Sequence, residues 1–391
     1  MLNIPFSPWP SFTNEEAEAV KNVLLSNKVN YWTGNECREF EKEFAAWVGC
    51  DYAVSLANGT LALDIALKAL GVATGDEVIT TPRTFLASAS SIVTAGATPI
   101  FADVDINSQA ITAESIEAVL TEKTKAVIVV HLAGMPAEMD AIMALSAKHG
   151  FYVIEDCAQA HGAKYKGRSV GSIGHIGAWS FCQDKIMTTG GEGGMVTTNN
   201  ENLWSFMWSY KDHGKNYDSI YNKEHPPGFR WLHDSFGTNW RMTEMQAVIG
   251  RIQLTHMADW TKKRQSNGRA IDAAVSDLNV VRRVIVPEYS EHAEYKHYLF
   301  IRPEYLAENW TRDKIVDAIN AEGVPAFQGS CSEVYLEKAF DNTTWRPTNR
   351  LSSASELGET SLMFLVHPSL TQLEVNETCR VIRKVLLEAQ S

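Results

Sequence analysis

The sequence predicts an α/β protein whose parallel sheet is covered on both faces, followed by a smaller α+β domain. Three observations lead there. Val/Ile-rich runs such as "KAVIVVH" and "FYVIED" are continuous, the pattern of strands buried on both faces. They alternate with helical stretches such as "AEMDAIMALSAKHG", the order of strand, helix, strand units. At 391 residues the chain also exceeds the roughly 250–300 residues at which a single core stops growing. We therefore expect a large domain over residues 1–255 and a small one over 256–391.

The elements follow in order. "SFTNEEAEAVKNVLLS" reads as a helix capped near Thr13 or Asn14, with Glu15 and Glu16 in its first turn, where the helix dipole favours acids. After a connector containing "NYWTG", the run "YAVSLANGTLALDIALKALG" passes from a short strand through Asn58, Gly59 and Thr60 into a helix. Leu63, Leu67 and Leu70 recur there at helical spacing. Further strands are expected at "DEVITT", "TPIFADV", "KAVIVVH", "FYVIED" and "GAWSF". The stretch "DHGKNYDSIYNKEHPPGFRWLHDSFG" is too polar and aromatic for core and reads as a long functional loop. A long helix begins at "MTEMQAVIGRIQLTHMADW", with the domain change near Thr255, and the chain closes on the helix "QLEVNETCRVIRKVLLEA".

Composition narrows the function. A net charge of -12 argues against nucleic acid and against an anionic membrane surface as partners. Six cysteines without a CxxC pair disfavour a zinc ribbon or a disulfide framework. The start "MLNIPFSPWPSFTNEEAEAV" has no basic region followed by an apolar run, so the cytoplasm is the expected compartment. His161, His213 and His367 share no metal-ligand spacing, and no metal is expected.

The chemistry concentrates around "SFCQDKIMTTGGEGG", where Lys185 follows a strand and precedes a knot of glycines. On open sheets, ligands bind at the carboxyl ends of strands. Lys185 and Asp156, which ends "YVIED", both fall there. A lysine for covalent attachment, an acid for a pyridine nitrogen and donors for a phosphate are what a pyridoxal phosphate site requires. Gly59 and Thr60 open a helix, whose free N–H groups favour an anion. Ser180 can add a hydroxyl, and Phe85 in "TPRTFLASAS" can stack on a ring or simply be core. For Asp156, the alternative is a helix cap after the strand.

Together, "NGTLAL", "VIEDCAQAHGAKYKGRSVGSIG", "SFCQDKIMTTGGEGGMV", "GTNWRMTEMQAVIGRIQL" and "MFLVHPSLT" resemble the sugar aminotransferases of the DegT/DnrJ/EryC1/StrS family. That resemblance implies a fold type I, aspartate aminotransferase-like architecture, with a mostly parallel seven-stranded sheet and pyridoxal 5'-phosphate as cofactor. It implies Lys185 as the covalent anchor and proton carrier, Asp156 at the pyridine nitrogen, Gln159 near the ring hydroxyl and Phe85 stacked on the ring. Gly59, Thr60 and Ser180 would hold the phosphate. Asn239 would come from a neighbouring subunit, so a homodimer with shared sites is expected. One departure is the pair Gly190 and Gly191, where the family pattern has one glycine before the acid. Lys185 stands where a dehydrating branch of the family has histidine, which favours transamination.

Within the family, "SPWPSFT", "LLSNKVNYWTGNECREFEKEFA" and "GSCSEVYLEKAF" are similar to enzymes that aminate UDP-4-keto-6-deoxy-N-acetylglucosamine for diacetamidobacillosamine and surface glycans. L-glutamate is the implied donor. Tyr31, Trp32, His213, Arg230 and Arg241 are the candidate substrate contacts, although either arginine could serve only a surface ion pair. Two other classes fit less well. A nicotinamide oxidoreductase needs GxGxxG opening a helix, whereas "GGEGG" precedes a strand. A cofactor-binding regulator would add a basic DNA-reading domain, and none is visible.

Overall fold

The computed structural model describes residues 6–224 and 230–391. Its centre is a seven-stranded sheet with spatial order Tyr52–Leu56, Gly194–Thr198, Ile176–Ser180, Tyr152–Asp156, Thr124–Val130, Glu77–Thr80 and Thr98–Phe101. Only Gly194–Thr198 runs against the rest. The Val/Ile runs read from the sequence are these strands. Residues 126–130 and 153–156 are buried without alternation, because helices cover both faces.

The first helix, Asn14–Leu25, starts at a Thr13 cap whose hydroxyl accepts the Glu16 N–H while the Glu16 carboxylate accepts the Thr13 N–H. That reciprocal pair satisfies two donors the helix would otherwise leave open. Helix Gly59–Ala69 buries Leu63 and Leu67 against the sheet. Asn58 caps it by accepting the Leu61 N–H at 3.0 Å.

Helix Glu244–Ala274 runs unbroken through Thr255. Beyond it lies a four-stranded antiparallel sheet, in order Val281–Arg283, His297–Ile301, Ser361–Phe364 and Ala326–Phe327. Helices Arg312–Ala321 and Gln372–Ala389 pack on it around Ile315, Ile319, Val381 and Leu386. Ser290–Glu291 pairs with Lys164–Tyr165, so residues on both sides of position 255 share a third, small sheet.

Arg83 fastens the two main sheets together. It is fully buried and has no acidic partner among the described residues. Its guanidinium donates to Gln109 Oε1, Ser332 Oγ and Ser361 Oγ, each at 2.9 Å. Next to it, the Thr84 N–H donates to the Cys331 carbonyl, and the Val334 N–H donates to that of Pro82.

Candidate active site

The carboxyl ends of the central strands open onto a cavity of about 620 Å³ between the large sheet and the four-stranded sheet. Thr84, Phe85, Gln159, Asp184, Lys185 and Lys296 are among its lining residues. Lys185 follows strand Ile176–Ser180 by five positions and is held through its main chain. Its N–H donates to the Cys182 carbonyl, and its own carbonyl accepts the Trp9 indole N–H at 2.8 Å. Its Nζ lies 3.6 Å from Asp184 Oδ1.

Asp156 ends its strand and is buried. Turns follow it and no helix does, which removes the helix-cap alternative. Oδ2 accepts the Ser88 hydroxyl at 2.8 Å, and Oδ1 accepts the Ala158 N–H at 3.1 Å. Burial pushes its pKa up, against the opposing pull of these hydrogen bonds and of Lys185. A carboxylate in that position gains from a cationic partner. Thr84 Oγ1 and Ser88 Oγ share a hydrogen bond at 2.8 Å, linking Asp156 to the cavity wall.

The residue beside it, Glu155, forms a buried hub. Its carboxylate accepts N–H groups from Gly171, Ile173 and Gly174 at 2.6–2.8 Å and meets His131 Nε2 at 3.0 Å. His131 Nδ1 accepts the Ala137 N–H at 3.1 Å, so its Nε2 carries the proton and donates to Glu155. Although Cys157 is near enough to complete a three-ligand cluster, the His and Glu lone pairs are committed to N–H donors. The pair anchors the strand end that carries Asp156.

On the opposite flank, the start of helix Gly59–Ala69 abuts Ser180. A Cβ placed on Gly59 would lie 2.5 Å from Ser180 Cβ, so only glycine allows this approach. The Gly59 and Thr60 N–H groups find no acceptor among the described residues, and a phosphate suits such a helix start. Phe85 is 72% exposed on the cavity wall. It is not core, and its face is open for stacking. Gln159 Oε1 accepts the Ala133 N–H at 2.8 Å, which leaves its amide N–H groups for a ligand. An attached lysine, a buried acid, a free helix start and a bare ring thus fit pyridoxal phosphate.

The substrate candidates lie elsewhere. None of Tyr31, Trp32, His213, Arg230 and Arg241 lines this cavity, and neither does Asn239, expected to serve the cofactor from a neighbouring subunit. Tyr31 is 2% exposed, with its hydroxyl donated to Glu41 and accepting from Trp208. It is therefore corrected to a core residue. Trp32 donates to buried Asp212 at 2.6 Å, and Arg241 pairs with the same carboxylate; that charge is already compensated. His213 (φ 60°), Arg230 and Asn239 are exposed. His161 and His367 are buried, and burial lowers both to a pKa of about 3, so they are neutral at physiological pH. Gly190 and Gly191 have φ of 84° and 123°, a turn that side chains with a Cβ resist.

Sequence reasoning missed Ser88, Asp184, Tyr295, Lys296 and Trp9. Asp184 had a signal in its place directly before Lys185. Tyr295 and Lys296 arrive from the far sheet, and no local pattern marks them.

Fold and cavity define a fold type I, pyridoxal phosphate-dependent enzyme. The chain belongs to the DegT/DnrJ/EryC1/StrS aminotransferase family, whose profile matches residues 10–384. It is 36% identical over 364 residues to a UDP-N-acetyl-3-dehydro-alpha-D-glucosamine 3-aminotransferase of Acidithiobacillus ferrooxidans, covering 93% of this chain and 92% of that protein. It is 41% identical over 256 residues to a GDP-perosamine synthase of Escherichia coli O157:H7, covering 66% of this chain and 67% of the relative. The solved aminotransferase from Psychrobacter cryohalolentis superposes with a TM-score of 0.97 at 62% identity, over 98% of this chain and 100% of that one. Among the described residues, no helix is long and apolar enough to cross a membrane.

Proposed function

We propose that this enzyme moves an amino group from L-glutamate to C4 of UDP-4-keto-6-deoxy-N-acetylglucosamine. The observation that carries the reading is Lys185 on the wall of one open cavity, with buried Asp156 joined to that wall through Ser88 and Thr84 and the Gly59–Ser180 approach at the end of the strand before Lys185. Its 620 Å³ falls within the roughly 300–1,000 Å³ typical of ligand pockets. The choice of sugar rests on the sequence likeness in "SPWPSFT", "NKVNYWTGNECREFEKEFA" and "GSCSEVYLEKAF".

Pyridoxal phosphate, when bound, supplies an electron sink for negative charge at the carbon bearing the nitrogen. Asp156 would keep a positive charge at the ring nitrogen, with Ser88 orienting its carboxylate. Phe85 would cover the ring, and Gly59, Thr60 and Ser180 would hold the phosphate. Lys185 would anchor the group and serve as proton carrier at Nζ, with Asp184 close enough to steady its charge. Donor and acceptor use the same lysine in turn, so the kinetics are ping-pong.

Asn239 is exposed and is not among the residues lining the cavity of its own chain, which supports a homodimer in which it completes the partner's site. Trp32, His213, Arg230 and Arg241 are proposed to contact the nucleotide sugar in that same setting. The cytoplasm is the proposed compartment.

A second reading is amination at C3, favoured by the Acidithiobacillus relative. Incubating the purified enzyme with glutamate and a panel of UDP-, GDP- and dTDP-linked keto sugars, then identifying the product by NMR, separates the two. A 4-amino UDP-sugar is expected. Preference for another nucleotide, or a 3-amino product, would replace the acceptor assigned here.

A further inference from the structure

The cavity holds a second lysine that this chemistry leaves unused. Lys296 directly precedes strand His297–Ile301 of the four-stranded sheet and lines the same cavity as Lys185. Both ammonium groups approach the Tyr295 ring, Lys185 Nζ at 5.3 Å and Lys296 Nζ at 4.9 Å from its centroid. Asp184 accepts the Tyr295 hydroxyl and sits beside Lys185, so its charge is already engaged. Lys296 has no ion-pair partner among the described residues.

The surroundings add a further positive charge beside Lys296. Arg264, fully buried, donates from Nη1 to the Tyr295 carbonyl at 3.3 Å and has no carboxylate partner among the described residues. Burial lowers the Lys296 pKa to about 8, with Arg264 and Lys185 adding repulsion against the pull of Asp184. A half-buried cation in this state gains free energy when a ligand brings an anion.

Two substrates carry anions, and the charge count separates them. The charged residues lining the cavity are Lys185 and Lys296 against Asp184 and Glu337. That balance accommodates one carboxylate better than a diphosphate. An amino acid also carries its α-carboxylate on the carbon that bears the reacting nitrogen, whereas a nucleotide sugar places the hexose ring between its reacting carbon and the diphosphate. We propose that Lys296 docks a carboxylate of the amino-acid donor while the donor's nitrogen lies beside Lys185. This assignment rests on the aminotransferase reading of the site.

The test uses cofactor-loaded wild type, Lys296→Met and Lys296→Arg, each checked for folding by circular dichroism. Calorimetric titration with glutarate, a dicarboxylate without an amino group, and separately with UDP reads the two anion sites. Glutarate affinity should fall roughly tenfold or more in Lys296→Met, as expected for loss of a charge-assisted hydrogen bond, and should return largely in Lys296→Arg. UDP affinity and the visible spectrum of the bound cofactor should not move. The KM for the amino donor should rise with that for the keto sugar unchanged. Weakened UDP with unchanged glutarate would reassign Lys296 to the diphosphate. No change in either titration, or no glutarate binding by wild type, would remove it from anion recognition. A wild-type protein without a cofactor spectrum would instead overturn the aminotransferase reading.

Discussion

Replacing Gly59 by alanine adds one carbon where the chain has no room for it. The new Cβ would stand 2.5 Å from Ser180 Cβ and 2.9 Å from Ser180 Cα, whereas carbon atoms pack at about 3.5–4.0 Å. The helix start and the end of strand Ile176–Ser180 must therefore part by about 1 Å. Overpacking of this kind costs roughly 1–3 kcal/mol. The backbone at Gly59 is not left-handed, so alanine recovers about 0.5–1 kcal/mol of helix propensity. The net loss is about 1–2 kcal/mol of stability. The larger effect falls on the cofactor, because the displaced Gly59 and Thr60 N–H groups are those proposed to hold the phosphate. A loss of about 1.4–2.8 kcal/mol there weakens pyridoxal phosphate binding roughly tenfold to a hundredfold. Urea unfolding of the cofactor-free protein gives the first quantity, and fluorescence titration with pyridoxal phosphate gives the second. Adding Ser180→Gly removes the Cβ that collides and should restore part of the stability in the double variant. Wild-type stability and wild-type cofactor affinity in Gly59→Ala would refute the reasoning.

Other outcomes follow from the same geometry. Asp156→Ala should lower turnover by orders of magnitude with the fold intact, seen in single-turnover kinetics; near wild-type turnover with cofactor bound would strip the acid of its role. Mixing Lys185→Ala with Asn239→Ala chains should restore activity in hybrid dimers, measured after subunit exchange, and a fully active monomer would contradict the shared site. Arg83→Met removes three hydrogen bonds from a charged donor, each of which contributes roughly 1.5–3 kcal/mol before the cost of burying the charge is subtracted. Calorimetry should show a destabilisation of about 2–4 kcal/mol. His297 lies between Glu294 and Asp272 at 3.1 and 3.3 Å; although burial opposes its charge, Glu294 and Asp272 raise its pKa to about 10. A pKa raised in the fold stabilises it fully below the unfolded value near 6.5 and loses that contribution as pH climbs to about 10. Denaturant midpoints of wild type should therefore fall more between pH 6.5 and 10 than those of His297→Asn, and parallel curves would contradict the ion pairs.

The strands of the large sheet are readable because burial on both faces writes itself into uninterrupted Val/Ile runs; Asp156 is placed by ending such a run, and Lys185 by following the next strand, Ile176–Ser180, at five positions. Phe85 stayed ambiguous: a lone phenylalanine carries no local mark of whether its ring is covered, and only the turn that turns it outward decides. Tyr31 went astray because a loop sequence rich in aromatic and polar groups looks like a binding surface, yet Glu41 and Trp208 draw its hydroxyl into the core. Tyr295 is invisible because its partner, Asp184, lies 111 positions away, and pairing at that separation leaves no periodicity behind; Lys296 reaches the cavity only as its neighbour on the far sheet.

Trp9 holds the Lys185 carbonyl across 176 positions of sequence. Its ring is itself wedged against Trp260 and His367, with Arg264 over one face, while Ser7 reaches Glu374. The segment around Trp9 must therefore wait for residues 260 to 374 before it finds its place. Contacts of such long sequence separation form late, since loop closure has to precede them. A chain halted after residue 255 would carry Lys185 and Asp156 but lack Trp260, Arg264 and His367, so Lys185 acquires its final support through Trp9 only once those residues are in place.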